Sequence, residues 1–127
     1  TIELNVPQDL TVEGDAGKLA RVFNNLLKNA VSYSTPGTPI LLWAEQADEQ
    51  AQFFVQNRGK TIPAHQLDAL FEKFFRLDEA RSTATGGAGL GLAIAKEIVT
   101  LHGGSISANS EQGVTTFTVE LPTKKSL

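Results

Sequence analysis

Seven apolar residues fix the first structural decision for this chain. Leu19, Val22, Phe23, Leu26, Leu27, Ala30 and Val31 recur at i, i+3, i+4, i+7, i+8, i+11 and i+12, the spacing that puts all of them on one stripe of an α-helix. Such a stripe has to be covered by another layer. Asp15 stands where an N-cap belongs, and Thr35-Pro36-Gly37 ends the pattern. What surrounds this helix reads mainly as strand. Ile2, Leu4 and Val6 alternate with polar residues, and Leu10 and Val12 alternate again after Pro7-Gln8-Asp9, which gives two short strands. Two β-rich runs, Ile40 to Ala47 and Ala51 to Gln56, flank Asp48-Glu49 as a hairpin. Pro63 opens a short helix through about Phe71. A second long helix starts in a glycine run, with Leu90, Ala93, Ile94, Ile98 and Leu101 inward and Gly103-Gly104 as its C-cap. Ser105 to Asn109 and Thr115 to Leu121 form a last hairpin around Glu111-Gln112-Gly113. Hairpin-linked strands mixed with helices predict an α+β fold, an α/β sandwich with about three helices on one face of a mixed sheet.

Composition removes several functions. The formal charge of −3 offers no electrostatic case for nucleic acid or an anionic membrane surface. With no cysteine there are no disulfides, thiolate metal sites or thiol nucleophiles. His65 and His102 are the two imidazoles, and neither belongs to an H-x-x-x-H pattern. No apolar run approaches the ~20 residues that span a bilayer. At 127 residues the chain reads as one domain, residues 1–127, and its start in strand pattern without a methionine predicts a unit excised from a longer protein.

The chemistry-bearing candidates are scattered. Thr85-Gly-Gly-Ala-Gly-Leu-Gly-Leu92 crowds glycines into a helix start. A P-loop would need a lysine and a hydroxyl after the last glycine, where Leu92 and Ala93 stand. A Rossmann fingerprint would need a preceding strand and a later third glycine, and Asp78 to Thr85 is a polar loop. What is left is a loop feeding a helix N-terminus, suited to an anion or simply to close packing. Asn25 and Asn29, four apart, stack at the edge of the first helix's apolar stripe. Their carbonyl oxygens suit a hard cation such as Mg²⁺, and they suit capping or surface roles equally. Tyr33, one further turn along, can stack on a base or sit at an amphipathic boundary. Asn57 ends a β-run before Gly59, as a pocket floor or a surface turn. Phe71, Phe74 and Phe75 read as core, with Arg76 beside them as a phosphate partner or an exposed cation.

In order along the chain, Asn-Leu-Leu-x-Asn-Ala, Asn-x-Gly, Phe-x-x-Phe and Gly-x-Gly-Leu-Gly-Leu resemble the N, G1, F and G2 boxes of the histidine-kinase ATP-binding domain. That domain is one of the GHKL ATPases, which share the Bergerat fold. The stretches "NRGKTIP", "FEKFFRLDEARS" and "TGGAGLGLAIAKEIVTLHGG" are most similar to the VanS-type sensor kinases of vancomycin resistance.

The resemblance implies ATP and Mg²⁺ as cofactors. It implies a metal ligand at Asn29, a partner for it at Asn25, adenine packing by Tyr33, and nucleotide contacts at Asn57, Gly59 and Ile62. It further implies a phosphate contact at Arg76 and a phosphate-cupping backbone at Gly87, Gly89, Leu90 and Gly91, with residues 77–88 a mobile ATP lid. Asn25 and Arg76 are its catalytic candidates. The implied activity is transfer of the ATP γ-phosphoryl group to a histidine in a dimerisation domain of the same protein, for relay to a response regulator. The implied setting is a cytoplasmic, monomeric unit of a dimeric parent anchored in the bacterial cell membrane.

Three positions depart from the family pattern. Asn57 stands for the aspartate that accepts from the adenine amine, Thr61 for the second G1 glycine, and Ser32 for a phosphate-touching lysine. A neutral bond replacing a charge-assisted one weakens that contact by roughly 1 kcal/mol. Lys60 and Arg81 are further candidates to balance phosphate charge. Neither His65 nor His102 lies in the family's phosphoacceptor motif, so the chain is expected not to phosphorylate itself. The alternatives are a nucleotide-binding pseudo-kinase, a serine kinase of the anti-sigma type, or a chaperone-, gyrase- or mismatch-repair-like ATPase. The last would need a glutamate as general base where Asn25 stands.

Overall fold

The computed structural model describes residues 2–5, 12, 14–47, 49–72 and 91–123. Strand β1 (Ile2–Asn5) precedes helix α1 (Ala16–Tyr33), and strands β2 (Ile40–Ala47) and β3 (Gln50–Arg58) follow it. A short helix α2 (Ala64–Leu67) continues into a 3₁₀ turn (Asp68–Phe71), and helix α3 (Gly91–Leu101) leads to β4 (Ser105–Glu111) and β5 (Val114–Pro122). The strands form one five-stranded sheet in the order β1-β2-β3-β5-β4. β1 runs parallel to β2, and every other neighbour pair is antiparallel. The sheet is therefore mixed, as the sequence predicts. Val12 makes an isolated bridge with Thr123; Leu10, the rest of that second strand, and Val6, the end of the first, lie outside the described residues.

Register assigns the two faces. Val55 opposes Phe117, Phe53 opposes Val119, and Ala51 opposes Leu121, so these pairs share the face that packs under the helices. Phe117, Val119, Leu121 and Val55 are essentially fully buried there. The other face carries Trp43 stacked on Phe54, ring centroids 4.9 Å apart. From above, α1 lowers Leu19, Val22, Leu26 and Ala30 into the core. Phe23 and Leu27 pack against its flank, and Phe23 meets the Phe53 ring at 5.0 Å. Phe71, read from the sequence as core, meets Phe117 edge-on at 6.1 Å.

Two residues of the expected apolar stripes turn out differently. Val31 is 56% exposed and Leu101 73% exposed. Each lies in the last turn of its helix. The buried line of α3 passes through Ala95, Ile98 and Val99 instead. Helix ends follow the expectation closely. The Asp15 carboxylate accepts from the Lys18 N–H at 3.0 Å and caps α1. That hydrogen bond, more than any other influence, holds the Asp15 pKa below its ordinary value. At the other end of α3, the Gly104 N–H reaches Val99 O and the Gly103 N–H reaches Thr100 O, both at 3.0 Å, which closes the helix.

His102 links the two long helices. Its Nε2 accepts from the Asp15 N–H at 3.1 Å, and its Nδ1 lies 2.8 Å from Ile98 O. An Nε2 that accepts must be unprotonated, so Nδ1 carries the proton and donates to Ile98 O. Both imidazole nitrogens are thus engaged in holding the N-cap of α1 against the end of α3.

Candidate functional site

The site grows from the junction of two element ends. As β3 leaves the sheet, Arg58 O accepts from the Thr35 N–H at 2.7 Å, stitching the strand end to the residues after α1. Gly59 follows, and a Cβ there would collide with the Tyr33 carbonyl. Absence of a side chain at Gly59 is what lets the last turn of α1 lie against the end of β3. The Gly59 N–H in turn donates to Gly113 O at 2.8 Å, in the β4–β5 turn. Gln112 and Gly113 both have positive φ, 49° and 79°, the combination of a tight type I′ hairpin that glycine favours.

These contacts bring Asn29, Tyr33 and Asn57, distant in sequence, around one cavity of about 540 Å³, a size typical of small-molecule sites. Lys60, Ile62 and Thr115 complete much of the lining. Asn57 is 4% exposed and sits on the helix-facing side of β3, opposite Thr115. Among the described residues its side-chain amide has no hydrogen-bond partner. Three hydroxyls of the surrounding elements are engaged elsewhere. The Ser110 and Thr115 hydroxyls lie 2.8 Å apart, Ser110 Oγ also accepts from the Ile62 N–H at 2.8 Å, and Thr61 Oγ1 accepts from the Gly113 N–H at 2.6 Å. A buried amide left without partners is costly in a folded protein. It marks where a ligand's polar edge belongs.

Of the residues singled out by sequence, Asn29, Tyr33, Asn57 and Ile62 line this cavity together. Gly59 supports it from behind. Asn25 and Asn29 are both half-buried at the edge of the α1 stripe, yet they do different things: Asn25 Nδ2 donates to Gly91 O at 3.1 Å, on the first residue of α3. Asn25 therefore ties α1 to the start of α3. Arg76, Gly87, Gly89, Leu90, Arg81 and the whole of 77–88 lie outside the described residues. Thr115 and Ser110 were missed. Both are polar residues in the inward phase of a strand otherwise carrying Phe117, Val119 and Leu121, or Ile106 and Ala108, and that break in alternation was the available signal. Thr61, a departure from the family glycine, uses its hydroxyl to hold the loop after β3 onto the terminal hairpin. Among the described residues no group of three His, Asp or Glu side chains could hold a metal ion; the cavity offers the Asn29 amide, adequate for a cation whose other ligands are water and phosphate.

Helices cover one face of a mixed sheet, and a partly polar cavity opens between the end of the first helix and the end of a central strand. The chain belongs to the family of histidine kinase-, DNA gyrase B-, and HSP90-like ATPases, whose profile matches residues 14–125. Sensor protein VanS of Enterococcus faecium is 54% identical over 124 residues, 98% of this chain and 32% of that protein. The crystal structure of full-length ShkA in complex with AMPPNP aligns with a TM-score of 0.80 and 28% identity, over 98% of this chain and 26% of that one. Histidine kinase ThkA in complex with the response regulator protein TrrA aligns at 0.79 and 26%, over 97% of this chain and 34% of that one. The chain spans about a third of the length of the curated relatives it matches.

Proposed function

We propose that this chain is the ATP-binding and catalytic unit of a two-component sensor histidine kinase. It binds Mg-ATP and delivers the γ-phosphoryl group to a histidine on a separate dimerisation domain of the same protein, for relay to a response regulator. One observation carries the reading: the buried, unpartnered Asn57 amide at the wall of a cavity that Asn29 and Tyr33 share.

In this assignment Asn57 reads the base edge, and Tyr33 packs on the base. Gly59 keeps the wall thin enough for both. Asn29 offers its amide oxygen to Mg²⁺, which supplies neutralisation of phosphate charge when bound. Lys60, at the cavity lining, adds a cation near the phosphates. Arg76, Gly87, Gly89, Leu90 and Gly91 are assigned to the phosphates by family resemblance, and residues 77–88 to the ATP lid. Asn25 stands where water-activating relatives carry a glutamate, and an amide cannot take a proton from water. This speaks against hydrolysis and is compatible with transfer to a protein side chain. The AMPPNP held by ShkA and the response regulator held by ThkA support nucleotide and partner classes. No helix among the described residues is long and apolar enough to cross a membrane; we assign the unit, monomeric by itself, to the cytoplasmic side of a membrane-anchored dimeric parent. Likeness to VanS points to a vancomycin-resistance setting.

Mixing the chain with the parent's histidine-bearing dimerisation domain and γ-labelled Mg-ATP tests the assignment. Transfer of label to that histidine, as an acid-labile and base-stable phosphoryl group, is the expected result. Tight ATP binding with no transfer would favour a nucleotide-binding module without kinase activity.

A further inference from the structure

We propose that Asn57 makes this site read the six-position of a purine without choosing between an amino and an oxo group, so that 6-oxopurine nucleotides bind alongside ATP. The inference rests on the nucleotide reading above and adds base selectivity to it.

The argument starts from what does not hold the Asn57 side chain. It is 4% exposed, and neither end of its amide is engaged among the described residues. The hydroxyls of Ser110, Thr115 and Thr61 are committed to one another or to backbone N–H groups: Ser110 to Thr115 and Ile62, Thr61 to Gly113. Among the described residues no hydrogen bond dictates which of Oδ1 and Nδ2 faces the cavity. The terminal torsion of asparagine is broad and roughly two-fold, so half a turn about Cβ–Cγ exchanges donor and acceptor at small cost.

That freedom matters for a purine edge. Adenine presents an N6–H donor beside a ring-nitrogen acceptor, whereas hypoxanthine and guanine present an O6 acceptor beside an N1–H donor. An amide matches the first arrangement in one orientation and the second in the other. A carboxylate has acceptors alone: it pairs with an amino group and confronts the lone pairs of an oxo group. Asparagine at this position therefore changes what the site rejects as well as how strongly it binds. A site committed to one hydrogen-bond polarity rejects the mismatched analogue by leaving buried groups unpaired. Here the mismatch is removed by rotation of one side chain.

The test is calorimetric titration of the 127-residue chain with Mg-ATP and with Mg-ITP, whose base differs from adenine in the oxo group and adjoining N–H. Wild type should bind the two within about tenfold, little more than the energy of one modest hydrogen bond. Asn57→Asp should keep ATP and lose ITP, widening the ratio by a further factor of at least about ten. Asn57→Ser, whose hydroxyl both donates and accepts, should hold the ratio near the wild-type value with weaker binding of both, and it keeps the comparison available if the buried carboxylate compromises folding. Wild-type chain that binds Mg-ATP but takes Mg-ITP a hundredfold or more weakly would overturn the proposal and leave the nucleotide reading intact. An Asn57→Asp ratio equal to the wild-type ratio would remove Asn57 as the determinant. Failure of both nucleotides to bind at millimolar concentration would overturn the nucleotide reading itself, and this inference with it.

Discussion

Gly59 shows how much of the site depends on an atom that is missing. Its Cα lies where any Cβ would meet the Tyr33 carbonyl, a backbone atom that cannot swing aside. Gly59→Ala should push the end of α1 away from β3, destabilise the fold by about 1–3 kcal/mol, and weaken nucleotide binding through displaced Tyr33 and Asn57. Urea unfolding and nucleotide titration check both effects, and an alanine variant of unchanged stability and affinity would contradict this packing. Asp15 gives a pH-dependent counterpart. Its carboxyl pKa is lowered chiefly by the hydrogen bond from the Lys18 N–H. A group with a depressed folded pKa stabilises above its unfolded value, about 3.9 for aspartate, and that stabilisation disappears as pH falls through the folded value. Asp15→Asn should therefore be less stable than wild type at pH 7, with the difference shrinking toward pH 3. Equal differences at both pH values in denaturant titrations would count against the cap. Asp15 and Asn57 could be singled out in the sequence because they bound a periodic pattern, Asn29 and Tyr33 because they lie one turn apart beside one. Thr115 was not singled out, because threonine is an ordinary strand residue and one polar residue in the inward phase of Phe117, Val119 and Leu121 is a faint signal.

Helix α1 was readable almost to the residue, since eighteen residues carry one consistent phase. Its last apolar position was not. Val31 continues the 3.6-residue period and is nevertheless exposed, because period alone does not say how wide the covered face of the helix is. Leu101 repeats the lesson at the end of α3. What periodicity could not show at all is the contact between these helices made by Asn25 Nδ2 on Gly91 O, because it joins positions 66 residues apart. Gly91 is the last glycine of the run that opens α3, so this bond fixes where the helix begins relative to the cavity. Asn25→Asp would set a carboxylate oxygen against that carbonyl. Amide hydrogen exchange at Ala95 and Lys96, whose helical acceptors are in the first turn of α3, should quicken by about tenfold, the equivalent of losing a bond worth near 1.4 kcal/mol. Unaltered exchange at those amides would assign Asn25 a role independent of α3.

Over the whole molecule, strand identities came from alternation, whereas strand order did not. Adjacent antiparallel pairs β2–β3 and β4–β5 follow from short turns. The parallel pairing of β1 with β2 and the insertion of β5 between β3 and β4 are long-range choices that no local pattern encodes. That insertion places the β4–β5 turn beside the end of β3, where Gly113 meets Gly59 and Thr61, so the topology itself builds the cavity wall. The central claim is that this cavity holds a magnesium-bound purine nucleotide. Calorimetric titration of the chain with ATP, with and without Mg²⁺, tests it most directly, with Asn29→Asp alongside. Saturable one-to-one binding that strengthens with Mg²⁺, and whose Mg²⁺ dependence changes in Asn29→Asp, is the predicted result. Absence of saturable ATP binding up to millimolar concentration, or binding indifferent to both Mg²⁺ and Asn29, would contradict the account.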